Sequence, residues 1–179
     1  MALTDKQRAV INGVITGAII TIVVLSAGIA FIPTSLTPDS TVGERLAFTL
    51  KADILVIVWL VRCIGMVGQH RFHTPEDING AGLTTGTPQA KVLQATLQNT
   101  LEQALLAIVV HLIWAVVMPV SWISGVLAAA GLFFVGRWLF IRRYEGGGPS
   151  RALGFALTFY PSLVMLLITI IMIVVRLVT

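Results

Sequence analysis

The chain has few of the residues from which soluble domains build their surfaces. Only 11% of its 179 residues are charged, and eight of them are Asp or Glu. The single cysteine, Cys63, excludes an intrachain disulfide. No internal repeat, heptad pattern or phosphate-binding glycine loop is present. Because no hydrophilic stretch is long enough for a soluble domain, the usual relation between length and domain number does not apply.

Apolar residues make up 56% of the sequence, and the mean hydropathy is +0.93. A helix that crosses a bilayer needs roughly 20 mainly apolar residues. We predict an all-α integral membrane bundle with five transmembrane helices per protomer. The predicted spans are Ala9–Ile32, Ala47–Val67, Leu97–Val117, Trp122–Ile141 and Arg151–Val175. The first span exceeds the apolar core of a signal peptide and lacks a clear small-x-small cleavage site, so we interpret it as a retained helix.

The positions of the basic residues predict the topology. Nine of the twelve Lys and Arg residues belong to the N-terminus and to the second and fourth connections, whereas three belong to the other connections and the C-terminus. By the positive-inside rule, the N-terminus and these two connections are cytoplasmic. We therefore interpret the positive charge as a topology signal rather than a nucleic-acid footprint, and expect a bacterial inner (cell) membrane location.

The third predicted helix contains a carboxylate, Glu102, three residues after Asn99. A carboxylate near mid-bilayer costs about 2.5–3.5 kcal/mol, so it needs a partner or water. We expect both side chains to face the protein interior and Glu102 to pair with an arginine, Arg137 above all. This pairing is structural in one interpretation; direct participation in chemistry is the alternative.

The fourth connection contains arginines at regular distances. Tyr144 follows Arg137 by seven residues, and Arg151 follows Pro149, a residue suited to the first turn of a helix. Arg151 is thereby expected at a helix N-terminus, where its charge and the helix dipole together favour an anion. The positive-inside rule alone also explains arginines in such a loop.

Other polar residues have simpler interpretations. We expect His70, Arg71 and His73 to be solvated or to contact lipid headgroups, because two histidines without a clear third ligand are weak evidence for a metal site. For His111 we expect a satisfied packing role, and for Asp53 a location near a helix end with snorkelling or local pairing. No metal site is predicted.

The ordered set of these motifs resembles the family of membrane-associated proteins in eicosanoid and glutathione metabolism (MAPEG). The resemblance depends on the string Leu83–Pro88, the Asn99-x-x-Glu102 pair, a short hairpin, and Arg137 followed by Tyr144 and Arg151. It covers roughly residues 47–175. It divides the chain into an N-terminal extra transmembrane helix with an extracytoplasmic loop (1–46) and a MAPEG-like four-helix domain (47–179).

The resemblance implies a homotrimer that binds glutathione between subunits near the cytoplasmic side. Arg151 matches the arginine that stabilises the glutathione thiolate, which is the catalytic role. Asn99, Glu102, Arg137 and Tyr144 match positions that contact glutathione or form the polar core beneath it. The chain departs from the family at Ala95, where characterised members have an arginine that binds a glutathione carboxylate.

Two classes of function follow from these residues. The first is a glutathione-dependent transferase or peroxidase acting on lipophilic electrophiles that arrive through the bilayer. The alternative is a non-catalytic membrane subunit or scaffold that docks on a larger membrane complex through the extra helix. Retained Arg151 and Tyr144 favour the enzyme, whereas Ala95 favours the scaffold. A transporter is a third interpretation, for which the sequence offers few intramembrane polar residues.

Overall fold

The computed structural model describes residues 2–33, 36–38, 40–80 and 82–179. Within these ranges the chain forms six α-helices and no β-strand. The extracytoplasmic loop predicted after the first helix includes Thr34, Ser35 and Asp39, which lie outside the described residues. The helices are α1 (Asp5–Phe31), α2 (Val42–Ala52), α3 (Ile54–His73), α4 (Pro88–Val117), α5 (Ser124–Arg142) and α6 (Gly147–Val178).

A threonine caps the start of three helices. Thr4, Thr41 and Thr87 each accept a hydrogen bond at the side-chain oxygen from the backbone N–H three residues later. In α4 the cap is followed by Pro88, which suits the first helical position. α4 therefore begins at Pro88 and not at the predicted Leu97. Its first turns are polar, but the Thr87 cap stabilises them as helix.

The second predicted span is divided at Asp53 into α2 and α3. The Asp53 carboxylate is buried and binds His111 of α4, with 2.6 Å between Oδ1 and Nδ1. Snorkelling of Asp53 to the surface is therefore wrong, and the packing role expected for His111 is confirmed. An aspartate favours helix ends over helix interiors, which agrees with a break at this residue.

The core lies between α2, α3, α4, α5 and α6, and Leu25 of α1 also belongs to it. It includes Trp114 and Ala115 of α4, Val126 and Phe133 of α5, and Met165 of α6, each no more than 1% exposed. Large apolar side chains on the outer faces of α1, α3 and α6 are instead exposed, as expected for helices that contact lipid. The chain is an integral membrane bundle.

Helix α1 packs in parallel against α6 through small residues. A Cβ on Gly13 would lie 3.0 Å from the Cβ of Ala152, and a Cβ on Gly17 would overlap that of Ala156. Nearer its C-terminus α1 packs on α5, where Gly28 contacts Ala128. Glycine at these positions lets the helix backbones approach closely. The extra helix is thus an integral part of the bundle.

The parallel arrangement of α1 and α6 requires an odd number of crossings between them. Four stretches are long and apolar enough to cross a membrane, namely Asp5–Phe31, Pro88–Val117, Val120–Arg142 and Tyr144–Val178. Between α1 and α6 the chain must cross an odd number of times, and α4 and α5 supply two of these crossings. The third comes from α2 and α3, which agrees with five predicted helices. We call the end where α1, α4 and α6 begin the loop end, and the opposite end the far end.

Candidate functional site at the loop end

Arg137 is fully buried in α5 and is held by neutral hydrogen-bond acceptors. Its Nη1 donates to Asn99 Oδ1 at 2.9 Å and to Thr100 Oγ1 at 3.3 Å, and its Nη2 donates to Thr158 Oγ1 at 2.8 Å. Within the described residues no carboxylate forms an ion pair with it. The guanidinium thus joins α4, α5 and α6 beneath the loop end.

The predicted pair of Glu102 with Arg137 is wrong within the protomer. Glu102 is exposed and accepts a hydrogen bond from Gln98 Nε2 at 2.9 Å, whereas the half-buried Asn99 faces Arg137. Three residues advance about 300° around a helix, so the Glu102 side chain points about 60° away from that of Asn99 around the α4 axis. This rotation is sufficient to move Glu102 from the interior to the surface.

Tyr144 and Arg151 come together at the junction of α5 and α6. The Arg151 guanidinium lies 4.3 Å from the centre of the Tyr144 ring, and the rings of Tyr144 and Phe140 meet edge to face at 5.4 Å. Phe140 also contacts Arg137, whose guanidinium lies 4.4 Å from the ring centre. Arg137, Phe140, Tyr144 and Arg151 therefore form a continuous column, held by cation–π and aromatic contacts.

Close backbone packing positions this column. A Cβ on Gly154 of α6 would lie 2.5 Å from the backbone nitrogen of Phe140, and one on Gly136 would lie 2.8 Å from the Cβ of Leu157. α6 begins at Gly147, so Arg151 lies near its N-terminus as predicted. There the unpaired N–H groups and the guanidinium both present positive charge to an anion.

The connection between α3 and α4 is held by a buried carboxylate that the sequence analysis did not identify. Asp77, 2% exposed, accepts hydrogen bonds from Thr87 N at 3.0 Å and Thr87 Oγ1 at 2.6 Å, and contacts His70 Nε2 at 2.8 Å. The Thr87 hydroxyl contributes most to holding the pKa of Asp77 below its ordinary value, against an opposing effect of burial. His70 is thus a structural partner and not a solvated side chain.

A cavity of about 400 Å³ lies between this loop and the start of α4. Arg71, Lys91, Gln94, Ala95 and Gln98 contribute to its lining. Arg71 Nη2 donates to Gln94 Oε1 at 3.3 Å. Gly80 has a φ of +81°, a left-handed backbone conformation that favours glycine, and the Arg71 guanidinium lies against it. Two cations therefore line the cavity that also contains Ala95.

Polar residues of this cavity continue along the exposed face of α4. Lys91, Gln98 and Glu102 follow one another at helical spacing and are exposed in the protomer. We call this face, which also contains Gln94 and Ala95, the α4 polar stripe. The structure thus brings Asn99 to Arg137 and Tyr144 to Arg151, but leaves Glu102 on a separate surface.

The sequence model of the MAPEG family matches residues 47–171, which is more than half of the chain. The match begins within α2 and ends within α6, so it leaves α1 outside. The matched region includes the column of Arg137, Phe140, Tyr144 and Arg151, the α4 polar stripe, and residues that line the cavity beside the α3–α4 connection. Comparison with curated proteins and with solved structures gives no match.

Proposed function

Because the chain belongs to the MAPEG family, we propose that it is a glutathione-dependent transferase or peroxidase acting on lipophilic electrophiles. In this proposal glutathione binds at the loop end, which faces the cytoplasm, between neighbouring copies of a homotrimer. Arg151 is the catalytic residue, and Asn99, Glu102, Arg137 and Tyr144 form or support the binding site. The lipophilic substrate arrives through the bilayer.

The observation that carries the proposal is the environment of Arg151. Its guanidinium is half-buried against Tyr144, near the first turn of α6, and no carboxylate among the described residues forms an ion pair with it. An uncompensated arginine at a helix N-terminus stabilises an anion. When that anion is a thiolate, the same field lowers the thiol pKa and increases the fraction of the nucleophilic form.

The chemistry of glutathione also fits the other residues of the loop end. Its carboxylates need cations, which Arg71 and Lys91 supply in the cavity that contains Ala95. Its ammonium group needs an acceptor, and Glu102 is an exposed carboxylate. Since Ala95 removes one charge-assisted hydrogen bond, we expect an affinity about tenfold to a hundredfold below that of a site that retains the arginine.

The α4 polar stripe supports an assembly of several copies. A carboxylate that faces lipid costs about 2.5–3.5 kcal/mol near mid-bilayer, and Gln98 and Glu102 are both exposed in the protomer. A neighbouring copy that covers the stripe removes this cost and creates a cleft between subunits. Glu102 is then part of the site without pairing with Arg137 of its own chain.

The scaffold alternative is favoured by Ala95 and depends on α1. The buried face of α1 packs on α5 and α6 of its own chain, whereas its outer face presents large apolar side chains. Only that outer face is free to contact a larger membrane complex. This alternative requires no glutathione binding.

Calorimetric titration of the purified protein with glutathione, combined with ultraviolet absorbance of the thiolate, distinguishes the enzyme from the scaffold. We expect binding and a thiolate signal for the wild type, and loss of the thiolate signal for Arg151→Ala. Arg143→Ala, which removes an exposed arginine at the end of α5, is the matched control and is expected to retain the signal. Absence of both binding and signal at millimolar glutathione would leave the scaffold.

A further inference from the structure

Arg62 and Glu102 are charged side chains that are exposed near the middle of α3 and α4, in stretches that cross the membrane. Neither takes part in an ion pair within the described residues. Arg62 lies about 10 Å deeper than Gln69, where the polar end of α3 begins, which is farther than an arginine side chain extends. Each of the two charges therefore needs a partner inside the bilayer.

The packing of α3 on α4 sets these two residues at the same depth. Three side-chain contacts define the antiparallel register, those of Asp53 with His111, Cys63 with Thr100, and Arg71 with Gln94. In this register Arg62 is level with residue 101 or 102 of α4, so its depth differs from that of Glu102 by no more than about 1.5 Å. Copies related by an axis along the membrane normal keep their depth, so Arg62 of one copy is level with Glu102 of the next.

The directions of the two side chains keep them apart within one copy. Cys63 and Thr100 face each other where α3 contacts α4. Arg62 is one residue from Cys63 and points about 100° away around α3, whereas Glu102 is two residues from Thr100 and points about 200° away around α4. The two charges thus lie on different surfaces of the protomer. A head-to-tail interface joins two such surfaces and closes into a ring when the rotation between copies permits it.

Both surfaces are suited to this contact. Gly65, one turn from Arg62, is exposed, and a Cβ there would meet no atom within 4 Å outside its own helix. Glycine without a packing partner leaves room for a neighbouring helix to approach. On the other surface, Gln98 Nε2 donates to Glu102 Oε1 at 2.9 Å and orients the carboxylate, whose second oxygen remains for a guanidinium.

We propose that Arg62 of one copy forms an ion pair with Glu102 of the next copy, so that α3 covers the α4 polar stripe of its neighbour. The inference rests on the homotrimer of the proposed function and names the residue that a neighbour adds to its site. The pair removes two uncompensated charges from lipid and brings a guanidinium to the stripe that contains Ala95. A carboxylate accepts several hydrogen bonds, so Glu102 can bind Arg62 and a glutathione ammonium together.

Thiol crosslinking in membranes without glutathione tests the contact. In a Cys63→Ala background, Arg62→Cys and Glu102→Cys are combined and treated with a bismaleimide, whose length replaces the two lost side chains. We expect covalent dimers and trimers for this combination, and monomers for either cysteine alone. Val61→Cys with Glu102→Cys is the matched control, because Val61 is exposed at nearly the same depth but points about 100° away from Arg62. It is expected to crosslink far less.

Charge reversal gives a second, independent measurement. Arg62→Glu and Glu102→Arg each place like charges together, and each is expected to weaken association of the copies roughly tenfold or more, as for the loss of a charge-assisted hydrogen bond. The double variant restores opposite charges and is expected to recover the trimer. Native mass spectrometry in detergent measures the trimer fraction. Both residues are exposed in the protomer, so the reversals leave its core intact.

The outcomes separate this inference from the proposed function. A trimer without the Arg62–Glu102 crosslink, equal crosslinking of the Val61 control, or no recovery in the double reversal would each overturn the ion pair. A wild type that is monomeric in membranes would overturn the pair and the homotrimer together. Absence of glutathione binding in a crosslinked trimer would instead overturn the proposed enzyme and leave the ion pair standing.

Discussion

Asp53 and His111 form a hydrogen-bonded pair in the interior of the bundle, 2.6 Å apart at Oδ1 and Nδ1. Their side chains are 5% and 1% exposed. The pair joins the break between α2 and α3 to α4, and so determines where the second crossing bends. Because neither group reaches water, each depends on the other for its polar interactions.

Removal of either partner of this pair is expected to destabilise the bundle. Asp53→Ala leaves His111 buried without its acceptor, and the expected loss is about 1–3 kcal/mol of the free energy of unfolding, the cost of an unsatisfied buried polar group. His111→Ala is expected to have a similar effect, and the double variant to cost less than the sum of the two. Unfolding in mixed detergent micelles measures all three. Asp5→Ala, which breaks an exposed pair with Arg8, is the control, and strictly additive losses would contradict coupling.

The contact of α1 with α6 is expected to fail when its glycine is enlarged. Gly17→Leu places a side chain where the Cβ of Ala156 already lies, so α1 must move away from α6. In a Cys63→Ala background, Val10→Cys and Gly148→Cys report the contact by disulfide formation, because these positions adjoin in the native bundle. Gly131→Leu in α5 is the control, because a Cβ at that position would have no atom of another residue within 4 Å apart from its own helix backbone and chain neighbours. Equal crosslinking in both leucine variants would show that α1 does not depend on this contact.

The loop between α3 and α4 is expected to loosen in acid. Since the folded-state pKa of Asp77 lies below the ordinary value, its hydrogen bonds stabilise the loop at higher pH and are lost as the pH falls through that lowered pKa. Thr87→Ala removes the largest cause of the shift, so the loss is expected at higher pH. Hydrogen-exchange protection of the Gly80 and Thr87 amides, followed from about pH 5 down to below about pH 3, measures it.

Two variants of the same loop control for other effects. Thr87→Ser keeps the hydroxyl and is expected to behave as the wild type. Thr84→Ala removes a hydroxyl that binds Gly80 O and not Asp77, so it is expected to leave the pH dependence unchanged. A shift as large in Thr84→Ala as in Thr87→Ala would rule out Asp77 as the titrating group.

The loop end is expected to face the cytoplasm, because the segments that meet there carry nine of the twelve Lys and Arg residues. In a Cys63→Ala background, Thr85→Cys should be protected from a membrane-impermeant thiol reagent in intact cells and labelled after lysis. Ser121→Cys, in the exposed connection between α4 and α5, should be labelled in both. The reverse pattern would invert the topology.

The number of crossings could be predicted from the sequence because four of them are long apolar helices, and the other is the apolar run Ala47–Val67, which the structure divides at Asp53. The ends of the helices were harder to predict from the sequence, as α4 shows. Its polar first turns resemble a loop in composition, and only the Thr87 cap with Pro88 marks the true start. The break at Asp53 depends on His111, a partner distant in the sequence, which no local pattern indicates.

The candidate site was predictable to a similar degree. Pro149 placed Arg151 at the start of a helix, and the family resemblance placed Asn99 at the binding site or in the polar core beneath it; both positions agree with the structure. Helical spacing led us to treat Asn99 and Glu102 as one face, although three residues leave a rotation of about 60° between them. Thr100 and Thr158, which complete the shell of Arg137, lack any charge that would single them out in the sequence.

The parallel contact of α1 with α6 has a consequence for biogenesis. α1 leaves the ribosome before α6, yet the Ala152 and Ala156 surface against its glycines belongs to α6. Until translation reaches α6, that glycine face has only lipid or another protein to contact. Final docking of α1 must therefore wait until α6 has been synthesised, so this contact joins two helices that enter the membrane at different times.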